Sequence, residues 1–407
     1  MNVLFTLTAY PPFMGGAQLL MHQLARELLA RHRLQVVTHW DAPRADWLLG
    51  TTLNAPREPR DYLYEGVPVH RIALSAADRR RLWPWVWAYY PLQAWALPRI
   101  AGAIAAEVAP YAAEADVVHN CRIGREGLSF ASLQAARQRG APFVLTPVHH
   151  PRWGGWLHRH YQRLYRAADA VIALTEAERR TLAALGVAER RIFVTGMGPA
   201  LAARGDGARF RAAYGLGQAP LVLFVGQKYA YKGLRVLLEA ARRVWARCPE
   251  ARFVLIGPRT AYSRRLFAAV TDRRALELDT VDVQTKTDAY AACDVFCLPS
   301  TQESFGGVFT EAWSLGKPVV GADIPAVRAV IAEGEDGYCV PLAPRVMGEA
   351  EVDAGSLAER LVTLLEQPAL RARLGAAGRR KVAARFTWPR LAEQTEAVYA
   401  RVREGNL

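Results

Sequence analysis

The stretch PSTQESFGGVFTEAWSLGKPVVGAD, residues 299–323, begins at the end of the apolar run DVFCLP (294–299) and ends in another, PVVGAD (318–323). An apolar run, a glycine-containing loop, a helical segment and a second apolar run predict a strand–loop–helix–strand unit. Glu303 lies in the loop, and Glu311 lies about one turn into the helix. Ligands of open α/β sheets bind beyond the carboxyl ends of the strands, so this loop is a candidate binding site.

The same alternation of short apolar runs and helical patterns extends along the chain in both directions. Runs before the stretch are NVLFTL (2–7), LQVVTH (34–39), VPVHRI (67–72), DVVH (116–119), FVLT (143–146), AVIAL (170–174), LVLFVG (221–226) and RFVLIG (252–257), and YCVP (338–341) follows it. Buried runs of this length separated by helices are typical of a doubly wound parallel sheet, which places the chain in the α/β class.

The chain is long enough for two domains. A single core rarely serves 407 residues. The alternation stops in GMGPALAARGDG (196–207), whose Gly, Ala and Pro content is typical of a linker. We therefore predict two Rossmann-like domains, residues 1–198 and 208–386, which face each other across a cleft, followed by a helical end of the chain.

The composition narrows the class of partner. The formal net charge of +14 favours an anionic partner such as a nucleotide, a phosphate or an anionic membrane surface. A nucleic acid is not expected, because the arginines are scattered and no nucleic-acid-binding motif is present.

The five cysteines include no CxxC pair, so neither a metal site nor a disulfide framework is predicted. The N-terminus has no signal-peptide pattern, and we expect a cytoplasmic protein. The uncharged segment Leu82–Pro98 is too short and too rich in proline to span a membrane.

The loop FVGQKYAYKGL (224–234) carries two of the five lysines, Lys228 and Lys232, between a strand that ends at Gly226 and a helix. An ammonium group beside a helix N-terminus binds phosphate well. The alternative is that both lysines are solvated loop residues.

The loop of the opening stretch has complementary chemistry. Phe305, Gly306 and Gly307 open the helix and offer free backbone amides, while Glu303 and Glu311 are acceptors for hydroxyl groups. Phosphates at the lysines and hydroxylated rings at the glutamates describe a nucleotide sugar. The alternative is an exposed loop residue at Glu303 and a helix-dipole or capping role for Glu311.

Two loops of the first domain also follow strands. Gly15 and Gly16 stand at a predicted helix start, where their amides suit a diphosphate, although a plain turn has the same pattern. His149 and His150 follow the strand 143–146, and His119 ends the strand before it. A histidine pair in such a loop favours a role in a site, with His119 as a weaker candidate.

Together these stretches resemble the retaining glycosyltransferases of family 4, the "group 1" transferases with the GT-B fold. ESFGGVFTE matches the E-x7-E signature of that family, and FVGQKYAYKG matches its diphosphate loop. LGKPVVGAD, DGYCVP, the N-terminal glycine pair and the strand-end histidine fit as well. The resemblance is strong over 220–341 and looser over 1–195.

The resemblance implies an acceptor-binding domain at residues 1–198, a donor-binding domain at 208–386, and a final helix, 387–407, that crosses back to the first domain. It implies that Glu311 holds the ribose and Glu303 the donor sugar, while Lys232 binds the diphosphate. The implied catalytic residues are His149, Glu303 and Lys232. The residues expected to contact the donor are Gly15, Gly16, Gly226, Lys228, Lys232, Glu303, Phe305, Gly306, Gly307 and Glu311.

By this resemblance the chain transfers a sugar, with retention, from a nucleotide-diphosphate sugar to a glycan, lipid-linked or small-molecule acceptor. A UDP- or GDP-sugar is the expected donor, with no cofactor and no metal, and the chain has no D-x-D motif. Gln227 departs from the family pattern, which has arginine there, and whether Lys228 replaces that charge stays open. So does the choice between His149 and His150.

Six tryptophans of the first domain lie near arginines. They are Trp83, Trp85, Trp87, Trp95, Trp153 and Trp156, near Arg79–Arg81 and near Arg152, Arg159, Arg163 and Arg166. The pattern suits peripheral association with the anionic inner face of the cell membrane, a platform for a sugar acceptor, or ordinary helix packing.

Two other functions remain as alternatives. A sugar-nucleotide epimerase of the same fold converts the donor without an acceptor, and the E-x7-E loop argues against it. A catalytically degenerate binding or scaffold protein gains weight from Gln227 and loses it from Glu303, Glu311 and Lys232.

Overall fold

The structure is a computed structural model that describes residues 1–12, 15–40, 47–122, 127–150, 155–343 and 350–406. The described residues form two compact units. Unit 1 comprises residues 1–196 and 388–407, and unit 2 comprises residues 197–387.

Strands and helices alternate in both units. In chain order the strands are β1 (Asn2–Ala9), β2 (Arg33–Trp40), β3 (Arg60–Tyr64), β4 (Val67–Arg71), β5 (Val117–Cys121), β6 (Phe143–Thr146), β7 (Ala170–Ala173), β8 (Ile192–Val194), β9 (Leu221–Val225), β10 (Arg252–Ile256), β11 (Ala275–Leu278), β12 (Val295–Leu298), β13 (Val319–Ala322), β14 (Gly337–Val340), β15 (Leu342–Ala343) and β16 (Glu351–Val352).

The helices of unit 1 before the linker are α1 (Gly16–Leu29), α2 (Trp47–Gly50), α3 (Ala76–Trp87), α4 (Gln93–Ala112), α5 (Leu128–Arg139), α6 (Arg159–Ala167) and α7 (Glu176–Ala184). Those that follow are α8 (Gly207–Ala213), α9 (Leu234–Arg247), α10 (Ala261–Ala268), α11 (Val283–Ala292), α12 (Gly307–Ser314), α13 (Pro325–Arg328), α14 (Ala354–Glu366), α15 (Pro368–Arg385) and α16 (Trp388–Arg403).

Unit 1 is built on a sheet with the order β3-β4-β2-β1-β5-β6-β7-β8. All its strand pairs are parallel except β3 with β4, which run antiparallel at one edge. Its central strands are almost wholly buried, as expected for a sheet covered by helices on both faces. One face packs against α4 and α5, and the other packs against α1 and α16.

Unit 2 is built on a parallel sheet with the order β11-β10-β9-β12-β13-β14. From β9 the chain moves outward to β10 and β11, then returns to the other side of β9 to form β12. The direction of winding therefore changes between β9 and β12, and loops that follow two such strands diverge to leave room for a ligand. The predicted doubly wound α/β fold is confirmed in both units.

The segment predicted as a linker is packed for part of its length. The amide of Ala202 donates to Thr287 Oγ1 at 2.9 Å, and the amide of Asp206 donates to Asp288 Oδ1 at 2.7 Å. These bonds attach the segment to α11, so it belongs to unit 2. The last helix, α16, belongs to unit 1, where Tyr399 is fully buried.

Candidate functional site

Two loops of unit 2 meet where the direction of winding changes. The loop after β9 contains residues 226–233, and the loop after β12 contains residues 299–306. The amide of Thr301 donates to the carbonyl of Tyr231 at 2.9 Å. Gly233 has a φ of 77°, and a Cβ placed on it would lie 2.2 Å from the carbonyl oxygen of Pro299. Only glycine allows this approach, so the close contact depends on residue 233.

The contact between the loops pairs Lys232 with Glu303. Lys232 Nζ donates to Glu303 Oε1 at 2.6 Å, and the side chains are 16% and 10% exposed. Burial disfavours the charge on Lys232, but the charges of Glu303 and Tyr231 outweigh it and raise the pKa of the lysine. The pair therefore places a charged ammonium and a carboxylate together at the predicted phosphate and sugar positions.

Lys228 lies in a different environment from Lys232. Its ammonium is fully buried, and it donates to Glu277 Oε1 at 2.9 Å and to the carbonyl of Leu278 at 2.7 Å. Burial lowers its pKa, against the attraction of Glu277. Both acceptors are at the end of β11, so Lys228 ties the β9 loop to that strand. In this structure Lys228 is thus held apart from Lys232, and its role as a diphosphate ligand stays a prediction.

Glu311 is buried in α12 and pairs with a lysine that the sequence did not single out. Lys286 Nζ, from α11, donates to Glu311 Oε1 at 2.7 Å. Among the described residues, Oε2 of Glu311 is buried without a partner at hydrogen-bonding geometry. Burial, the charge of Glu311 and the closeness of its carboxylate to the tyrosine hydroxyl raise the pKa of Tyr290. Tyr290 is therefore a neighbouring hydroxyl donor for this carboxylate, and a contact with a ligand hydroxyl stays a prediction.

The start of α12 presents backbone rather than side chains. Gly306 adopts the left-handed conformation, with φ 81°, and caps the helix without a side-chain hydrogen bond. The ring of Phe305 is buried edge-to-face against Phe386, at 5.3 Å between centroids. Phe305 and Gly307 therefore bring no polar side chain to this loop, and the binding of a ligand by their amides stays a prediction. Gly226 directly follows β9, and its amide donates to the carbonyl of Ile256 at 3.0 Å.

The glycine pair of unit 1 lies at the start of α1. Gly15 is the extended N-cap residue, and Gly16 is the first residue of the helix. Gly15 has no side chain with which to cap α1, so the N-cap residue itself leaves the first amides of the helix for another partner. This is the position that the sequence predicted for both glycines.

His149 follows β6 in a strained loop of unit 1. The residue before it, Val148, has a φ of 44°, which is rare for a β-branched side chain. Glu178 Oε1 accepts a hydrogen bond from the amide of His149 at 2.6 Å, and Oε2 accepts one from the amide of Leu174 at 2.7 Å. Burial raises the pKa of Glu178 to about 7, although both amide bonds oppose the shift. Glu178 thus holds the peptide of His149 in place.

The ring of His149 contacts Tyr165, which in turn contacts Arg122. His149 Nδ1 lies 3.3 Å from the hydroxyl oxygen of Tyr165, and Arg122 Nη1 donates to the same oxygen at 2.7 Å. Burial lowers the pKa of His149 to about 4, and the charges of Arg122, His150 and His158 add to the shift. The imidazole of His149 is therefore neutral near pH 7.

His119 serves packing. Its Nδ1 lies 2.6 Å from the hydroxyl of Tyr399, and its Nε2 lies 2.8 Å from Thr146 Oγ1. Burial lowers its pKa to about 3. Both ring nitrogens of His119 have hydrogen-bond partners, one on α16 and one on β6. His119, the weaker candidate for a site residue, therefore links α16 to the sheet.

The sequence analysis did not single out four residues that contact the candidate site residues. None of them belongs to a motif, and they lie in helices or at a strand end: Lys286, Glu178, Arg122 and Tyr165. Lysine is rare in this chain, and that rarity is the signal that could have drawn attention to Lys286. No group of His, Cys, Asp and Glu side chains in the described ranges is arranged to hold a metal ion.

The tryptophan positions differ in exposure. Trp83, Trp87 and Trp95, on α3 and α4, are 58%, 72% and 63% exposed, and we call these three residues the tryptophan face. Trp85 packs against the core and lies under Arg99, 4.0 Å from the guanidinium carbon. Trp156 is exposed, with Arg159 over its ring.

Trp153 and Arg152 lie outside the described residues. Across the parts of the chain that the structure covers, no helix is both long and apolar enough to cross a bilayer.

Two family models match most of the chain. The model "Glycosyl transferase 4-like domain" matches residues 15–198, and "Glycosyl transferases group 1" matches residues 219–367. The second match contains both loops of unit 2 described above.

Curated relatives match part of the chain. The phosphatidyl-myo-inositol mannosyltransferase of Mycobacterium tuberculosis (strain H37Rv) is 36% identical over 187 residues, which are 46% of this chain and 48% of the relative. The D-inositol 3-phosphate glycosyltransferase of Kribbella flavida is 32% identical over 254 residues, 58% of each protein. The chain thus spans about half the length of the curated relatives it matches.

A solved structure covers the whole fold. The crystal structure of HepE from Anabaena, in complex with UDP and glucose, aligns over 98% of this chain and 99% of that one. The TM-score is 0.74 at 19% identity, so the similarity is one of fold.

Proposed function

Because the chain belongs to the group 1 glycosyltransferases and has the GT-B fold, we propose that it transfers a sugar from a nucleotide-diphosphate sugar to an acceptor. The acceptor is a glycan, a lipid-linked molecule or a small molecule. The observation that carries this proposal is the contact between Lys232 and Glu303, at the strand ends where the winding of unit 2 changes direction.

In this proposal the donor engages the groups of the two loops in unit 2. Lys232 and the amides at Phe305–Gly307 bind the diphosphate. Glu303 accepts from hydroxyls of the sugar, and Glu311 accepts from the ribose through the buried Oε2. Before the donor arrives, Lys232 and Glu303 satisfy each other, so the donor shares this ion pair rather than meeting two isolated charges.

The reaction that we propose proceeds with retention and needs no metal. As the bond to the anomeric carbon breaks, negative charge grows on the departing diphosphate, and Lys232 and the helix-start amides stabilise it. His149, neutral near pH 7, donates a hydrogen bond to a substrate hydroxyl. A UDP- or GDP-sugar is the expected donor.

The donor and metal dependence are tested by thermal shift. UDP-, GDP-, ADP- and dTDP-sugars are each added with EDTA and with magnesium, since a ligand of the native state raises the Tm by mass action. A shift with one base class that EDTA leaves unchanged supports the proposal, whereas a shift only with magnesium refutes metal independence. No shift with any nucleotide favours a scaffold protein.

Reaction type is tested by product analysis. With the donor that shifts the Tm, release of nucleoside diphosphate and an NMR spectrum of the glycoside anomer report transfer and stereochemistry. An inverted anomer contradicts retention. Conversion of the donor sugar without an acceptor identifies an epimerase instead.

We also propose that the protein binds the cytoplasmic face of the membrane through the tryptophan face. Trp83 and Trp87 are one turn apart on α3, with ring centroids 6.2 Å apart. Arg80 and Arg81, on the same helix, are exposed beside them, and interfacial tryptophans with flanking arginines suit an anionic lipid surface. One relative is named a phosphatidyl-myo-inositol mannosyltransferase, which supports a lipid acceptor.

Co-sedimentation with vesicles tests the membrane proposal. We expect binding to phosphatidylglycerol vesicles at low salt, little binding to phosphatidylcholine vesicles, and a marked loss in Trp87→Ser/Trp95→Ser. Leu63→Ser is the matched control, since Leu63 is 73% exposed in unit 1 and lies on β3. Equal binding by the double variant and by wild type contradicts a role for the tryptophan face.

A further inference from the structure

We propose that Arg122 and Tyr165 are positioning residues that hold the imidazole of His149 in one tautomer, with its proton on Nε2. The inference rests on the proposed function, in which His149 donates a hydrogen bond to the substrate. The inference explains why the neutral imidazole of His149 carries a hydrogen-bond donor, rather than an acceptor, at Nε2.

Arg122 fixes the direction of the first hydrogen bond. Its side chain is fully buried, and its guanidinium carbon lies 3.8 Å from the ring centroid of Tyr161, a cation–π contact. Arginine stays protonated in proteins and has no acceptor. The 2.7 Å bond from Arg122 Nη1 therefore makes the hydroxyl oxygen of Tyr165 an acceptor.

Tyr165 in turn donates a hydrogen bond to His149. With its oxygen accepting from Arg122, the hydroxyl keeps its own proton to donate, and a phenol that accepts from a cation is a better donor. Burial raises the pKa of Tyr165, so this proton is present near pH 7. His149 Nδ1, 3.3 Å away, is the acceptor on the far side.

The tautomer of His149 follows from this chain of bonds. A neutral imidazole has one N–H, so an Nδ1 that accepts requires the proton on Nε2. The peptide of His149 is held separately by Glu178, which accepts from its amide at 2.6 Å. Ring and peptide are thus fixed from two sides, by α6 and by α7, and strain at Val148 persists because these contacts define the loop.

Nuclear magnetic resonance of ¹⁵N-labelled histidine reads the tautomer directly. The chain contains nine histidines, and His149→Asn assigns the signal that belongs to residue 149. We expect the wild-type His149 signal of a protonated Nε2 and an unprotonated Nδ1. In Tyr165→Phe we expect a mixture of both tautomers or broadening from ring motion.

Kinetics provide a second measurement, with the donor that raises the Tm and an acceptor that yields the glycoside product. We expect Tyr165→Phe to lower kcat about tenfold, as for the loss of one buried hydrogen bond, while KM for the donor changes less than about twofold. Tyr399→Phe is the matched control, because it removes the buried Tyr–His bond at His119 and leaves His149 untouched. The control is expected to lower the Tm without changing kcat or the His149 spectrum.

Two results overturn the inference. A wild-type His149 with its proton on Nδ1 refutes it without any variant, even if Tyr165→Phe fails to fold. A tautomer that stays the same in a folded Tyr165→Phe refutes it as well. The spectrum is recorded without substrate, so the tautomer of His149 can be measured whether or not the protein transfers a sugar. Absence of transfer would contradict the proposed function but would not decide the tautomer.

Discussion

Replacing Lys232 by methionine is the sharpest perturbation of the site, because it separates stability from catalysis. The variant keeps most of the unbranched side chain and removes a charged hydrogen bond of 2.6 Å to Glu303, whose side chain is only 10% exposed. A buried charged group left without its partner costs about 1–3 kcal/mol. A loss of about 2 kcal/mol in a unit of this size lowers the Tm by roughly 4–8 °C.

The catalytic loss has a different origin and a larger factor. Lys232 is the preorganised cation that we assign to the departing diphosphate, and removal of one such donor lowers kcat about 10²- to 10³-fold. Lys232→Met/Glu303→Gln removes both charges, so we expect it to regain most of the stability and none of the turnover. Comparison of the single and double variants therefore distinguishes the two effects. The loss of stability comes from the unpaired carboxylate of Glu303, and the loss of turnover comes from the missing cation.

Release of nucleoside diphosphate and thermal unfolding are measured for each variant. Lys381→Met is the matched control, since Lys381 pairs with the buried Asp336 in the same unit and also donates to the carbonyl of Val330 at 2.9 Å. It is expected to lose comparable stability and to keep its turnover at a temperature where it is folded. Turnover near that of wild type in Lys232→Met removes Lys232 from the mechanism, and restored turnover in the double variant does the same.

Three further changes test other parts of the chain. Glu311→Gln keeps the size of the side chain but removes its charge, so we expect nucleoside diphosphate affinity to fall about tenfold by calorimetry; unchanged affinity assigns the ribose to another residue. Gly233→Ala puts a Cβ 2.2 Å from the carbonyl oxygen of Pro299 at a φ of 77°, and we expect a loss of at least about 1–3 kcal/mol by urea unfolding, so a wild-type midpoint contradicts the close approach of the two loops. Burial raises the pKa of Glu178 from 4.5 to about 7, so in this window the folded chain holds a proton that the unfolded chain has released, and the free energy of unfolding falls as the pH rises. Relative to Glu178→Gln, wild type should therefore lose stability between about pH 5 and pH 7, and a constant difference contradicts the raised pKa.

Lys228 and Lys232 have different environments in the fold, and the sequence could not predict this difference. They are four positions apart in one glycine-containing loop, and the loop pattern treats them alike. In the fold, Lys232 turns to Glu303 while Lys228 is buried against the end of β11. A pattern of residue types identifies the loop, but the direction of each side chain depends on which strands flank it.

The sequence alone determined the two-domain α/β fold, the family, and the loops that carry the candidate site, because apolar periodicity and the E-x7-E and lysine loops are local patterns. Only the tertiary structure decided the partners within those loops. Lys232 meets Glu303, 71 positions away, because β9 and β12 are neighbours in the sheet. Lys286 meets Glu311 because α11 and α12, which precede and follow β12 along the chain, come together in the fold. Strand order and helix packing are long-range results of burying apolar surface, and no local pattern specifies them.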